Sequence, residues 1–152
     1  MPSPVAQLAQ VFARDIPLSQ AMAIRVCQWS DRQLRLEFPL APNTNHQASM
    51  FGGSLYCAAV LAAWGWLHLA LREEGVDTTH IVVQTGEIRY LRPVYADPAT
   101  VLCAAPDEHL WQDFLDTWHK HGKARLQLVS KVLTEQGEEG AVLTGQFVLL
   151  RG

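Results

Sequence analysis

The stretch Met50-Phe51-Gly52-Gly53-Ser54-Leu55-Tyr56-Cys57-Ala58-Ala59-Val60-Leu61-Ala62-Ala63-Trp64-Gly65-Trp66-Leu67-His68-Leu69-Ala70-Leu71 decides how the rest of the chain is read. It closes a run from Phe38 to Leu71 that contains no Asp, Glu, Lys or Arg. By length alone it could cross a bilayer, for which about 20 apolar residues suffice. Gly52, Gly53, Ser54, Gly65 and His68 interrupt it, however, and strand-like segments lie on both sides. The reading it favours is a helix of about Gly53 to Glu74, apolar on every face because it is buried on every side of a soluble core, with no membrane span. Gly75 is placed to stop it.

Upstream, Ser3-Pro4 offers an N-cap and a first-turn proline, and Val5, Leu8, Ala9 and Phe12 follow on one helical face. Met22, Ile24 and Val26 then alternate with polar or small residues. After a turn at Ser30-Asp31, so do Leu34, Leu36 and Phe38, and the pair reads as a hairpin. Pro39 and Pro42 end it, and Asn43-Thr44-Asn45-His46 forms a polar connection into the long helix.

Downstream, Ile81 to Val94 reads as a long strand, with a bulge expected at Gly86. Val101 to Ala104 reads as a shorter strand, expected to lie antiparallel beside it across the turn Tyr95-Ala96-Asp97-Pro98. A second helix, capped by Asp107 and closed by Gly122, carries the stripe Leu110, Trp111, Phe114, Leu115 and Trp118. That stripe suits packing on a sheet, or a lid over a bound chain. Strands over Ala124 to Thr134 and Ala141 to Leu150 complete an α+β order. An antiparallel sheet can bury so apolar a helix only by curling around it. Even then, one small sheet gives the helix incomplete cover, and a dimer or higher homo-oligomer is expected.

The chain has 152 residues, 12 Lys+Arg and 15 Asp+Glu. Residues 1–152 read as a single domain, which at this size buries roughly 70% of its unfolded surface without metal or disulfide staples. A formal charge of −3 argues against a nucleic-acid partner, because phosphate binding needs concentrated Lys and Arg. Cys27, Cys57 and Cys103 are odd in number and lie in apolar surroundings. They read as reduced core thiols of a cytoplasmic protein, with no secretion signal visible. His119 and His121 point apart on a helix and suit a solvated last turn better than a metal site.

The blocks Asn45-His46-Gln47-Ala48-Ser49-Met50-Phe51-Gly52-Gly53-Ser54-Leu55-Tyr56, Trp64-Gly65, Ile88-Arg89-Tyr90-Leu91-Arg92-Pro93-Val94 and Ala96-Asp97 together resemble the hot-dog-fold thioesterases, in particular the branch typified by the YiiD C-terminal domain. The resemblance covers about Ile16 to Leu150. It implies a curved antiparallel sheet wrapped around a long central helix, with an N-terminal helix and an extra amphipathic helix between the fourth and fifth strands. It also implies hydrolysis of an acyl thioester carried on coenzyme A or acyl carrier protein, at a site shared by two subunits, with no cofactor. Two positions depart from the pattern. Phe51 replaces the histidine that often precedes Gly-Gly, and Val60 occupies the helix position where related phenylacetate-type enzymes carry an acidic base.

Thioester hydrolysis builds negative charge on the carbonyl oxygen, and a site needs donors there and a group that orients or deprotonates water. The amides of Gly53 and Ser54, at the positive end of the helix, could form the oxyanion hole, with Gly52 allowing close substrate approach. Equally, Gly-Gly could serve tight packing. Asn45 can hold a carbonyl or a water, or close an Asx turn in its own loop. His46 titrates in the right range for a base, or simply hydrogen-bonds the loop. Glu87, beside the expected bulge, could supply the missing carboxylate, or be solvated like most strand glutamates.

Phe51 and Tyr56 are expected to contact substrate, although the hydroxyls of Tyr56 and Ser54 could equally bond nearby backbone. Arg89 and Arg92, expected on one strand face, could meet phosphates of coenzyme A or of a carrier arm. Cys57 reads as a core thiol. Two further readings stand beside hydrolysis. One is a hot-dog dehydratase or hydratase with His46 as base. The other is a non-catalytic protein that binds acyl thioesters, motivated by Val60 and Phe51.

Overall fold

The computed structural model describes residues 2–76 and 80–151. Helix α1 (Pro4–Asp15) starts as the sequence indicates, with the Ser3 side chain accepting from the Ala6 amide at 3.1 Å. A short helix α2 (Pro17–Ala21) follows, which the sequence reading missed even though Pro17 stands at its first position. Strands β1 (Arg25–Ser30) and β2 (Gln33–Phe38) form the expected hairpin. Its two-residue turn, Asp31-Arg32, has φ of 52° and 55° and so matches the twist of the flanking strands without a glycine.

The long helix α3 (Gly52–Glu73) is the core of the molecule. Ala58, Ala62, Ala63, Trp66, Leu67 and Ala70 have no exposed surface at all. The sheet around it runs β1-β2-β4-β5-β6-β3, where β3 is Ile81–Tyr90, β4 Ala99–Ala104, β5 Lys123–Leu133 and β6 Glu139–Leu150. Alternate residues of each inner strand, such as Leu126 and Leu128 or Leu143 and Phe147, point at the helix and are buried. Gly65 lets α1 and β2 come in close. A β-carbon there would stand 2.9 Å from methyl carbons of both Leu8 and Leu34.

Helix α4 (Glu108–His121) lies between β4 and β5, as expected, and ends at Gly122, whose φ of 69° and amide bond to the Trp118 carbonyl make a left-handed cap. Asp107 occupies the N-cap position without using its side chain as a cap. Trp111, Phe114, Leu115 and Trp118 are buried and pack as an internal face, whereas Leu110, expected in the same stripe, is exposed, because it stands in the first turn beside an open groove. Trp111 meets Trp66 of α3 edge-on at 5.2 Å and donates to Glu74 at 3.0 Å. His119 and His121 lie in the last turn.

Three expectations are corrected. β3 and β4 are not neighbours: β3 pairs with β6, and β4 lies between β2 and β5. The connection after Tyr90 crosses the structure rather than turning back, because its polar groups are taken by other segments. Leu91 and Arg92 amides reach the Gly140 carbonyl, the Val94 carbonyl accepts from Met50, and the Asp97 carboxylate accepts from the Leu40 amide. The strand therefore stops at Tyr90, short of Val94. Finally, the register of β3 against β6 slips between Val83 and Thr85, so the irregularity is at Gln84 and not at Gly86.

Among the described residues β3 pairs only with β6, which leaves its other edge open, and all but Ile81 and Ile88 of its residues are exposed. Along it, antiparallel, runs an α3 row at helical spacing: Tyr56, Val60 and Trp64, all only partly buried. Tyr56 touches Gly86 at one end, and the Trp64 indole donates to the Ile81 carbonyl at the other. Cys57 shares this partial burial, whereas Cys103 is fully enclosed. No disulfide joins the three thiols.

Candidate active site

The connection between the hairpin and α3 is held from below by a residue the sequence reading passed over. Asn43 is buried and donates from its amide to the Met22 and Pro39 carbonyls at 2.9 and 2.8 Å. Its own carbonyl accepts from the Phe51 amide at 2.7 Å, fixing where the helix begins. Its only sequence signal was an Asn closing a Pro-Asn turn.

Asn45 spends its side chain on its own loop. Its Oδ1 accepts from the Gln47 and Ser49 amides at 2.9 and 3.1 Å, and its Nδ2 donates to the Ser49 hydroxyl at 3.0 Å. This is the Asx-turn arrangement. It closes a tight loop in which Ala48 takes a φ of 61° and Thr44 bridges to Met50. His46 stands exposed at the loop's outer side.

At the start of α3, Phe51 is the N-cap residue and offers no side-chain cap. The amides of Gly52, Gly53 and Ser54 have no partner within the helix, and no acidic residue sits in the first turn to offset the positive end of the dipole. Phe51 is 56% exposed, and its ring lies over Gly53, where a β-carbon would stand 2.5 Å from a ring carbon. Tyr90, at the end of β3, crosses to this turn and donates its hydroxyl to the Gly52 carbonyl at 2.9 Å.

A groove of about 300 Å³ opens at this point, lined by Asn45, Ser49, Met50, Gly52, Leu55, Tyr90, Leu91, Arg92 and Pro93. It joins helix-end amides, a cation and apolar walls, which suits a ligand with a polarised carbonyl and an apolar or anionic extension. A larger groove, of about 510 Å³, lies elsewhere, between the start of α4 and β4-β5 around Leu102, Leu110 and Val129. Its cation, Lys131, is held by Glu139 at 2.8 Å. The smaller groove is the better site, because the helix start beside it carries no acid, whereas α4 begins with Asp107 and Glu108, whose carboxylates offset the positive end of that helix.

Of the residues singled out from sequence, Asn45, Phe51, Gly52, Gly53 and Ser54 gather at the start of α3, with Tyr56 one turn deeper. Glu87 does not join them. It sits opposite Thr144 on the outer face of the sheet, while its neighbours Gly86 and Ile88 face inward opposite Gly145 and Leu143. With the bulge at Gln84, nothing turns its carboxylate toward the helix. Arg89 and Arg92 do not share a face. Arg89 lies on the outer side opposite Val142, whereas Arg92 falls beyond the end of the strand, where it donates to the Glu139 carbonyl at 2.7 Å and stands 3.5 Å from the Glu138 carboxylate. Tyr90 and Ser49 were absent from the sequence-derived set. The aromatic residue ahead of Leu91-Arg92-Pro93 was the available signal for Tyr90.

A family model described as "Putative thioesterase (yiiD_Cterm)" matches residues 5–151. The chain belongs to this family. A protein of unknown function from Chlorobaculum tepidum TLS is 33% identical with a TM-score of 0.90, the match covering 96% of this chain and 93% of that one. A putative thioesterase from Shewanella oneidensis is 30% identical with a TM-score of 0.84, covering 99% of this chain and 100% of that one. The PaaI protein of the E. coli phenylacetic acid degradation operon, at 15% identity, has a TM-score of 0.70 with 98% and 95% covered. At that identity it speaks for the fold alone, which is the hot-dog fold of the thioesterase superfamily. Within this family's fold, α3 is the one helix among the described residues long and apolar enough to cross a membrane, and it lies mostly buried in the core.

Proposed function

We propose that this family member is a cytoplasmic enzyme that hydrolyses acyl thioesters of coenzyme A or acyl carrier protein, without a cofactor, by direct attack of water. The observation that carries the reading is the uncapped start of α3, which stands beside a groove walled by Asn45, Gly52, Tyr90 and Arg92. The thioester carbonyl oxygen takes its place at the Gly53 and Ser54 amides. Water adds to the carbonyl carbon and gives its proton to His46, whose exposed side chain does not line the groove and has to swing in from the neighbouring loop to reach it. The tetrahedral intermediate collapses, the C–S bond breaks, and the thiolate leaves with the proton that His46 returns. Asn45 acts as a positioning residue through the loop that carries His46. Arg92 lends positive potential at the groove mouth, where a phosphate-bearing arm would lie.

A homodimer formed along the open edge of β3 belongs to the same reading. It would cover Val82 and Val83, which are 40% and 45% exposed, and the α3 row of Tyr56, Val60 and Trp64. Release of free thiol from a panel of short, long and aromatic acyl-CoA and acyl-carrier-protein substrates tests the activity. Turnover of one class, lost in His46→Ala, supports the mechanism, and turnover unchanged in that variant removes His46 from it.

A second reading, a binder of acyl thioesters that does not turn them over, draws on Val60, the apolar side chain in the middle of the α3 row. Saturable binding across the panel with no thiol released would select it.

A further inference from the structure

The carbonyl of Gly52 and the amide N–H of Gly53 are the two ends of one peptide group. A donor at the carbonyl therefore draws electron density along that group and makes the N–H a stronger donor. Tyr90 is placed to do this, with its hydroxyl 2.9 Å from the Gly52 oxygen. We infer that Tyr90 is a positioning residue that polarises and orients the Gly53 amide for a carbonyl oxygen bound at the start of α3.

Three features support a built contact. Residue 52 is a glycine whose missing β-carbon would stand 3.4 Å from the Tyr90 ring, so the ring closes directly on the helix turn. Tyr90 and Gly52 both line the groove that opens at this turn, so the bonded peptide group lies at the border of the ligand space. Although the Tyr90 ring is largely exposed, local desolvation of its hydroxyl, with Tyr56 and Cys57 nearby, raises the phenol above its usual range, so it stays protonated and remains a donor. The carbonyl would ordinarily accept only from the helix amide one turn later. The phenol adds a second donor, from a different strand, and ties the pitch of the first helical turn to the end of β3.

The effect on rate rests on the hydrolase reading, whereas the polarised amide does not, and the test separates them. In wild type and Tyr90→Phe, the ¹H–¹⁵N signal of Gly53 is recorded and kcat and KM are measured on the best substrate of the panel, with Tyr95→Phe as the control. Loss of the hydroxyl is expected to move the Gly53 ¹⁵N signal upfield. It should also lower kcat about three- to tenfold with KM within about twofold, since loss of an entire oxyanion donor costs about 10²–10³ and only its strengthening is lost here. Tyr95→Phe should alter neither. An unmoved Gly53 signal overturns the inference whatever the rates. A moved signal with unchanged kcat in an active enzyme overturns its catalytic part. A moved signal in a protein that hydrolyses none of the panel leaves the polarised amide standing and removes the hydrolase reading.

Discussion

The hydroxyl of Tyr56 on α3 fills the space in front of Gly86 on β3 that a β-carbon would occupy, well inside van der Waals contact. A glycine in mid-strand loses side-chain packing, and here the helix supplies the missing atoms. Gly86→Ala is expected to push the Tyr56 ring outward and destabilise the fold by about 1–2 kcal/mol. In Tyr56→Phe the oxygen is gone, and the same alanine should cost less. Urea unfolding of the two single variants and the double variant measures the coupling. Strictly additive values would mean the contact is not what requires glycine.

His68, 4% exposed, stacks on Trp64 at 5.3 Å, and its pKa is lowered to about 4 by burial, with Arg72 and Arg14 adding to the effect and Asp15 opposing it. In the unfolded chain it titrates near 6.5. Between these values the unfolded state binds more protons, so stability rises with pH from about 4 to 6.5 and is level above that window. His68→Phe, which keeps a ring on Trp64, should flatten this rise, which amounts to at most about 3 kcal/mol. Denaturation at pH 5 and 7.5 for both proteins gives the comparison, and equal slopes would assign the pH dependence to other groups.

Because Asn45 is consumed by its own loop, its removal acts through loop order. Asn45→Ala is expected to lose two amide partners and destabilise the protein by about 1 kcal/mol, with activity reduced about tenfold or more. Asn45→Asp retains the acceptor oxygen for Gln47 and Ser49 and should keep the loop closed. If the two variants behave alike, the Oδ1 bonds are not what matters.

Arg32 lies over the Trp66 and Trp111 rings at 5.4 and 5.1 Å, on a backbone with φ of 55°. Arg32→Ala should cost about 1–2 kcal/mol in lost ring contacts and in a left-handed alanine. Arg32→Gly forfeits the same contacts but relieves the backbone, so it should be the more stable of the two. The order of their thermal midpoints decides.

Val83→Lys places a charge on the open β3 edge. If the homodimer forms there, sedimentation should show that variant as monomer at concentrations where the wild type is dimeric, with thioesterase turnover lost together with the dimer. A wild-type monomer, or an unaffected dimer, would remove this edge from the assembly.

Local signals in the chain read well. Ser3 caps α1, the helix expected over Gly53 to Glu74 is α3 to within a residue at each end, and Gly122 ends α4 in the left-handed region. Each depends on neighbours a few positions away. The partners of β3 and β4 did not read, since Ile81 finds Leu149 and Phe38 finds Ala99 only when the whole sheet closes. Gly52 to Ser54 were legible as donors because a helix start is a local feature. Asn43 and Tyr90 were not, because their bonds to the Phe51 amide and the Gly52 carbonyl depend on where three separate segments meet. Arg92 read as a strand residue because nothing nearby announced that the Gly140 carbonyl would capture two amides and end β3.

The strand order also governs how the molecule comes to be folded. α3 is made before β3 to β6, and β6 is the strand that joins β3 to the rest of the sheet. Until β4 and β5 arrive, a helix apolar on every side has only the first hairpin and α1 to shelter it, and β3 has no strand to pair with before β6. Most of its burial therefore depends on pairings remote in sequence, which form slowly and late. An emerging chain of this design passes through a stage that would adhere to other chains or be held by a chaperone, so the yield of active protein should respond to growth temperature and holdase supply more steeply than its final stability would indicate.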